Sequence, residues 1–136
     1  MSIPLTVIPL VVFNVFVFWF APGTGGDPWL APLFTVEMPS AARFTLTAGD
    51  ALLIAGIGFL FLEVLKATRT GSATLADHML SMVVFVVHLV EFLVVAAAAH
   101  PVFAILTVIA FVDVVAGFSV TIAGARRDVA FDREGR

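Results

Sequence analysis

His88 and Glu91 lie one helical turn apart inside a long apolar segment, Leu75 to Ala99. They belong to a series of positions that recur at steps of three or four and so share one face of a helix: Asp77, Ser81, Val84, His88, Glu91, Val95 and Ala98. A histidine and a carboxylate within a membrane-length helix are costly and mark candidate functional positions. The chemistry open to them is proton exchange, ion binding or hydrogen bonding between helices.

Other polar residues stand alone in further apolar segments. At about 1.5 Å per residue, Asn14, His88 and Asp113 lie near one predicted depth, and Glu63 lies nearer one end. Lys66, three residues after Glu63, is placed to form an ion pair or to reach the interface. An ionisable group facing lipid costs roughly 2.5 to 3.5 kcal/mol, so these groups are expected to face inward. The predicted buried polar cluster consists of His88, Glu91, Asp113, Glu63 and Asn14.

The elements that must position this cluster are helices. Of the 136 residues, 61% are hydrophobic and only 12% are charged, whereas soluble domains carry about 25% charged residues. Segments of membrane-spanning length occupy about 3–20, 50–67, 75–99 and 102–123. We predict an all-α integral membrane protein, an antiparallel bundle of four transmembrane helices. Residues 1–125 form its single domain, and 126–136 form a charged cytoplasmic tail.

The loop between the first two helices, residues 21–49, contains a predicted β-hairpin. Phe34 and Val36 alternate with polar residues, as do Phe44 and Leu46, and a four-residue turn separates the two runs. An isolated hairpin is marginally stable in water. Its apolar face is therefore expected to cap the outer, periplasmic end of the bundle or to lie on a partner, with the cap favoured.

Basic residues predict the orientation. Six of the seven Lys and Arg residues flank the second-to-third helix loop or follow the fourth helix. Because basic loops stay in the cytoplasm, both termini are predicted to be cytoplasmic in a multi-pass protein of a bacterial-type inner membrane. Trp19 and Trp29 flank the outer boundary, where an aromatic belt is expected.

Several classes of function are disfavoured. The chain has no cysteine and few basic residues, which excludes thiolate chemistry and argues against nucleic acid as a partner. Ser81 has no neighbouring base to activate it, so nucleophilic catalysis lacks support. The predicted function is a non-enzymatic accessory or assembly subunit of a membrane complex, with no cofactor. The expected partners are the lipid bilayer and a membrane protein or a second copy of the chain.

Two alternatives stay open. The ionisable residues form a ladder along the bundle, which is compatible with a small proton- or ion-coupled channel or transporter. His88 and Glu91, with Asp113, are also candidate ligands for a single metal ion in a metal-binding bundle.

Overall fold

A computed structural model describes residues 3–21, 23, 25–69 and 74–134. It is mostly helical, with one two-stranded antiparallel sheet, as predicted. The elements in chain order are α1 (Val7–Val15), β1 (Pro32–Glu37), β2 (Arg43–Thr47), α2 (Ala48–Arg69), α3 (Thr74–Val94) and α4 (Pro101–Glu134).

Three helices are long and apolar enough to cross a membrane: α2, α3 and α4. The first helix is shorter than the predicted 3–20. It covers Val7–Val15, and a π-helical turn extends it over Phe16–Phe20. The chain before it makes tight turns, with Val7 N bonded to the Pro4 carbonyl at 3.1 Å and Ile8 N to the Leu5 carbonyl at 3.0 Å, because Pro9 has no N–H to donate to the Leu5 carbonyl in an α-helical bond. Three of the four predicted helices therefore have the length of a membrane span, and the first, Val7–Phe20, is a shorter apolar helix.

The ends of two other helices also differ from prediction. α3 ends at Val94 rather than Ala99, since Val95 adopts an extended conformation before a 3-10 turn, Ala96–Ala98. α4 continues to Glu134, through most of the predicted tail. The structure does not describe the side chains at 69 and 125–136, which include most of the basic residues behind the orientation prediction.

α4 is the central helix, and it packs against both α2 and α3. Its contacts with α3 run in opposite chain directions, in the pairs His78 with Thr121, Phe85 with Phe111, and His88 with Phe103. α2 and α4 run parallel to each other, since Gly49 lies near Val102 and Gly56 lies near Leu106 and Ile109. A Cβ added at Gly56 of α2 would lie 3.1 Å from Leu106 and 3.8 Å from Pro9. Gly56 therefore lets α1, α2 and α4 approach one another closely.

An aromatic cluster closes the bundle at the end where the hairpin emerges, here called the hairpin end. The Trp29 ring stacks on Phe13 with centroids 4.8 Å apart and contacts Phe16 at 4.7 Å. Phe13 in turn meets Phe103 edge-on at 4.6 Å. Trp29 is only 4% exposed, so it belongs to the core and not to an interfacial belt. Trp19, at 81% exposure, fits that predicted role.

The predicted hairpin forms. β1 and β2 pair antiparallel with Phe34 opposite Leu46 and Val36 opposite Phe44, so these four side chains share one face. The other face carries a hydrogen bond of 2.9 Å between the hydroxyls of two threonines, Thr35 and Thr45. The register shifts between Pro32 and Phe34, which makes Leu33 a bulge residue.

We predicted that the apolar face of the hairpin would cap the bundle, and it does not. This face consists of Phe34, Val36, Phe44 and Leu46. Phe34, Val36 and Phe44 remain 51%, 47% and 48% exposed. The physical reason is the connection: β2 runs into α2 without a loop, so the hairpin continues away from the helix. A reciprocal cap fixes the junction, with Asp50 accepting from the Thr47 hydroxyl at 2.7 Å and donating its N–H to that hydroxyl at 3.2 Å.

Candidate functional site

The amino end of α1 is held by two buried carboxylates from other helices. The Leu5 N–H donates to Glu63 Oε2 at 3.3 Å, and the Thr6 hydroxyl donates to Asp113 Oδ2 at 3.2 Å. The first N–H groups of α1 find their acceptors locally, since Val7 N and Ile8 N bond to the Pro4 and Leu5 carbonyls. Glu63 of α2 and Asp113 of α4 therefore anchor the two residues that precede α1 rather than its own N–H groups.

A lysine and a serine complete this arrangement. Lys66 Nζ donates to Glu63 Oε1 at 2.6 Å, one turn along α2. Ser81 of α3 lines the same small cavity as Glu63 and Asp113. Five residues thus form what we call the carboxylate cluster: Thr6, Glu63, Lys66, Ser81 and Asp113. The cluster combines the residue before α1 with residues of α2, α3 and α4, and its buried carboxyl groups have the hydrogen-bonded partners that buried polar groups require.

A small cavity of about 20 Å³ adjoins the carboxylate cluster. Glu63, Ser81 and Asp113 line it together with His78 and Gly117. Its size suits about one water molecule. The His78 ring lies directly over Gly117, and its Nε2 is 2.6 Å from the Thr121 hydroxyl. This histidine is thus a buried member of the α3–α4 contact.

His88 lies apart from the carboxylate cluster. It is 1% exposed, its Nδ1 is 2.9 Å from the Val84 carbonyl, and its ring packs on Phe103. Seven residues of α3, about 10 Å, separate it from Ser81. Buried residues at intermediate positions along α3 and α4 are apolar except Thr107, whose hydroxyl donates to the Phe103 carbonyl at 2.9 Å; the apolar ones are Val84, Leu106, Ile109 and Ala110. The common depth predicted for His88 and Asp113 is therefore wrong, because the helices are offset along their axes.

Glu91 and Asn14 also lie outside the carboxylate cluster. Glu91 Oε1 is shielded from solvent and has no hydrogen-bond partner in the described part of the chain. Asn14 Nδ2 donates to the Leu10 carbonyl of its own helix at 3.0 Å. Of the predicted cluster, only Glu63 and Asp113 meet, with Lys66 beside them.

The positions of these residues bear on the two alternative functions, the ion-coupled channel or transporter and the metal-binding bundle. Across residues 3–21, 23, 25–69 and 74–134, no group of three or more His, Asp or Glu side chains is placed to hold a metal ion. His88, Glu91 and Asp113 therefore do not form the single-ion site considered from the sequence. His88 and the carboxylate cluster lie at different levels of the bundle, so the ionisable residues considered as a proton ladder fall into separate groups.

Sequence reasoning missed the roles of Thr6 and His78. Thr6 precedes α1 in the position and with the side chain of a helix cap, but its partner comes from 107 residues away. The spacing of the residues gives no sign that His78 and Ser81 of α3 lie near Asp113, because Asp113 belongs to another helix, α4. The sequence places Ser81 on the polar face of α3 but does not identify Asp113 as its neighbour.

A second charged contact lies at the hairpin end. His100 Nε2 donates to Asp27 Oδ2 at 2.9 Å, and Asp27 Oδ1 accepts the Trp29 N–H at 2.9 Å. The hydrogen bond from His100 holds the pKa of Asp27 below its ordinary value of 3.8. This contact ties the start of α4 to the loop that carries Trp29.

No protein-family model matches this chain, and neither characterised proteins nor solved structures show a significant similarity to it. Its function must accordingly be argued from the geometry of its own residues.

Proposed function

We propose that this chain is a non-enzymatic accessory or assembly subunit of a complex in a bacterial-type inner membrane. α2, α3 and α4 cross the bilayer, α1 inserts beside them, and the hairpin lies on the outer side. The termini then lie on the cytoplasmic side, as the basic residues predict. The hairpin is the element that engages a partner protein.

The observation that carries this proposal is the uncovered apolar face of the hairpin. Three large side chains, Phe34, Val36 and Phe44, project from a two-stranded sheet that its own bundle does not cover. A hairpin of this size gains little stability alone in water. Exposed apolar patches outside the bilayer are typical of protein contact sites. A partner that covers this face would stabilise the hairpin and bind at the same time.

The polar groups within the bundle support a structural role. Glu63 and Asp113 are engaged by Lys66, Thr6 and the backbone of Leu5. Such contacts set the relative positions of four helices and leave these two carboxylates partnered within the chain. This is the pattern expected of packing contacts rather than of a continuous path for ions.

The test is co-purification from native membranes in mild detergent. Val36→Asp combined with Phe44→Asp places charges on the apolar face, and we expect it to remove a partner that wild-type protein retains in stoichiometric amount. Thr45→Asp is the matched control, since it adds a carboxylate to the polar face beside the Thr35 hydroxyl. Loss of the partner in both variants, or in neither, would contradict a role for this face.

The competing function is a small proton- or ion-coupled channel or transporter, favoured by the cavity beside Glu63 and Asp113. Purified protein in liposomes separates the two. If wild type conducts protons and Asp113→Asn abolishes the flux while remaining folded, the accessory role is wrong.

A further inference from the structure

A continuous apolar groove runs between α1 and α2 at the hairpin end. Its volume is about 400 Å³, and every residue that lines it is apolar or aromatic. Val12 of α1 and Phe16 after it line one side, and Ala51 and Ala55 of α2 line the other. Trp29 and Leu33 line it at the hairpin end. We propose that this groove binds one acyl chain of a membrane lipid from the leaflet on the hairpin side.

The sequence creates the groove through side-chain size. Ala48, Ala51 and Ala55 recur along α2 at steps of three and four, and their small side chains leave a channel beside the larger residues of α1. The bulge at Leu33 turns that side chain into the same wall as Trp29. These are packed, local features, so the groove exists before any ligand enters.

The length of the groove matches one leaflet. Its lining on α2 extends from Ala48 to Phe59, which is about 16 Å along the helix axis. Half of a hydrocarbon core of about 30 Å is about 15 Å. The groove starts at the first residue of α2 and ends near the middle of the bilayer. These limits fit an acyl chain whose headgroup lies at the membrane surface on the hairpin side. A transmembrane helix of a partner, about 30 Å long, would extend well beyond it.

The chemistry of the lining also favours an acyl chain. No charged or amide side chain lines the groove, so a polar segment would leave its hydrogen-bonding groups without partners. The groove opens onto the exposed apolar surfaces of α1 and α2, where Val11, Val15 and Ile54 lie. In a bilayer these surfaces contact lipid, and the groove is continuous with them. The proposal rests on the membrane insertion proposed above but not on a protein partner.

Quenching of Trp29 fluorescence tests this directly, since Trp29 lines the groove. In a Trp19→Phe background, Trp29 is the only tryptophan. The protein is reconstituted in vesicles of phosphatidylcholine brominated along the acyl chain. Ala51→Leu with Ala55→Leu fills the groove. Gly58→Leu adds comparable bulk on the same helix, where a new Cβ meets nothing within 4 Å.

We expect strong quenching with Gly58→Leu and at least twofold weaker quenching with the filled groove. Native mass spectrometry should show one lipid retained per chain by the control and lost by the filled variant. Equal quenching and equal lipid retention in the two variants would overturn the proposal. Dissociation of a homodimer on filling, without a change in quenching, would overturn it in favour of a second copy.

The hairpin variants separate this result from the accessory role. Val36→Asp with Phe44→Asp should leave Trp29 quenching unchanged, because neither residue lines the groove. If the hairpin variant loses the partner and keeps normal Trp29 quenching, only the hairpin contact is disrupted. If the filled-groove variant loses quenching and keeps the partner, only lipid binding in the groove is disrupted.

Discussion

The Thr6 hydroxyl donates a hydrogen bond to Asp113 Oδ2 at 3.2 Å, although 107 positions separate the two residues in the chain. Both residues are buried. The bond joins the start of α1 to the middle of α4, and it determines how deep α1 begins in the bundle. The contact lies beside the bond from the Leu5 N–H to Glu63, so two carboxylates position one helix end.

The first prediction concerns the coupling of these residues. Thr6→Val and Asp113→Leu should each lower the free energy of unfolding, and their effects should be less than additive by about 0.5 to 1.5 kcal/mol, as for a typical side-chain hydrogen bond. The measurement is a double-mutant cycle by denaturant unfolding in detergent. Ser119→Ala supplies the control, because the Ser119 hydroxyl bonds only its own helix at the Val115 carbonyl. Its combination with Asp113→Leu should be additive; additivity for Thr6 as well would contradict the contact.

The second prediction contrasts the two glutamates of the bundle. Glu63 has partners in Lys66 and Leu5, whereas Glu91 Oε1 is buried and has none among the described residues. Glu91→Leu should raise the free energy of unfolding by about 1 to 3 kcal/mol, because it removes an unsatisfied polar group. Glu63→Leu should lower it by about 3 kcal/mol, since Lys66 and a helix end lose their acceptor. Thermal unfolding of both variants in one detergent measures the difference, and equal signs would refute this assignment.

The third prediction tests the contact between His78 and Gly117. A Cβ added at Gly117 would lie only 2.5 Å from His78 Nδ1, so Gly117→Ala must displace the ring and disturb its bond to Thr121. We expect a destabilisation of about 1 to 3 kcal/mol. Gly58→Ala is the control, because its Cβ meets nothing within 4 Å and alanine favours a helix by about 1 kcal/mol. Adding His78→Ala should restore part of the stability lost in Gly117→Ala; a neutral Gly117→Ala would contradict the packing.

The fourth prediction concerns pH at the hairpin end. The pKa of Asp27 is held below 3.8, chiefly by the hydrogen bond from His100. A lowered carboxylate pKa contributes stability that is complete above 3.8 and is lost as the pH falls through the folded-state value. Since Asp27 is exposed, the contribution should be below about 1 kcal/mol.

The amide resonance of Trp29, which donates to Asp27 Oδ1, should report this titration in an NMR experiment. Its midpoint should lie below 3.8 in wild type and move upward in His100→Ala. Asp27→Asn should remove the transition entirely. A wild-type midpoint at or above 3.8 would show that the contact does not form.

Much of the local structure was predictable because it depends on short-range patterns. The apolar runs predict the three long helices, whose length and hydropathy suit a membrane. Apolar residues alternate with polar ones in both runs, at Phe34 and Val36 and at Phe44 and Leu46. This alternation predicts the two strands and their shared apolar face. In both cases the period of the side chains follows from backbone geometry that the residues themselves determine.

The sequence by itself therefore determined the helices, the hairpin and the presence of buried ionisable groups. Only the tertiary structure decided which of these groups meet. Helical periodicity states which face a residue occupies but not how far one helix is shifted along another. Here close packing at Gly56, the hydrogen bonds from Leu5 and Thr6 to Glu63 and Asp113, and the buried Trp29 set those shifts. These shifts place Asp113 beside Thr6, and they leave His88 about 10 Å along α3 from Ser81.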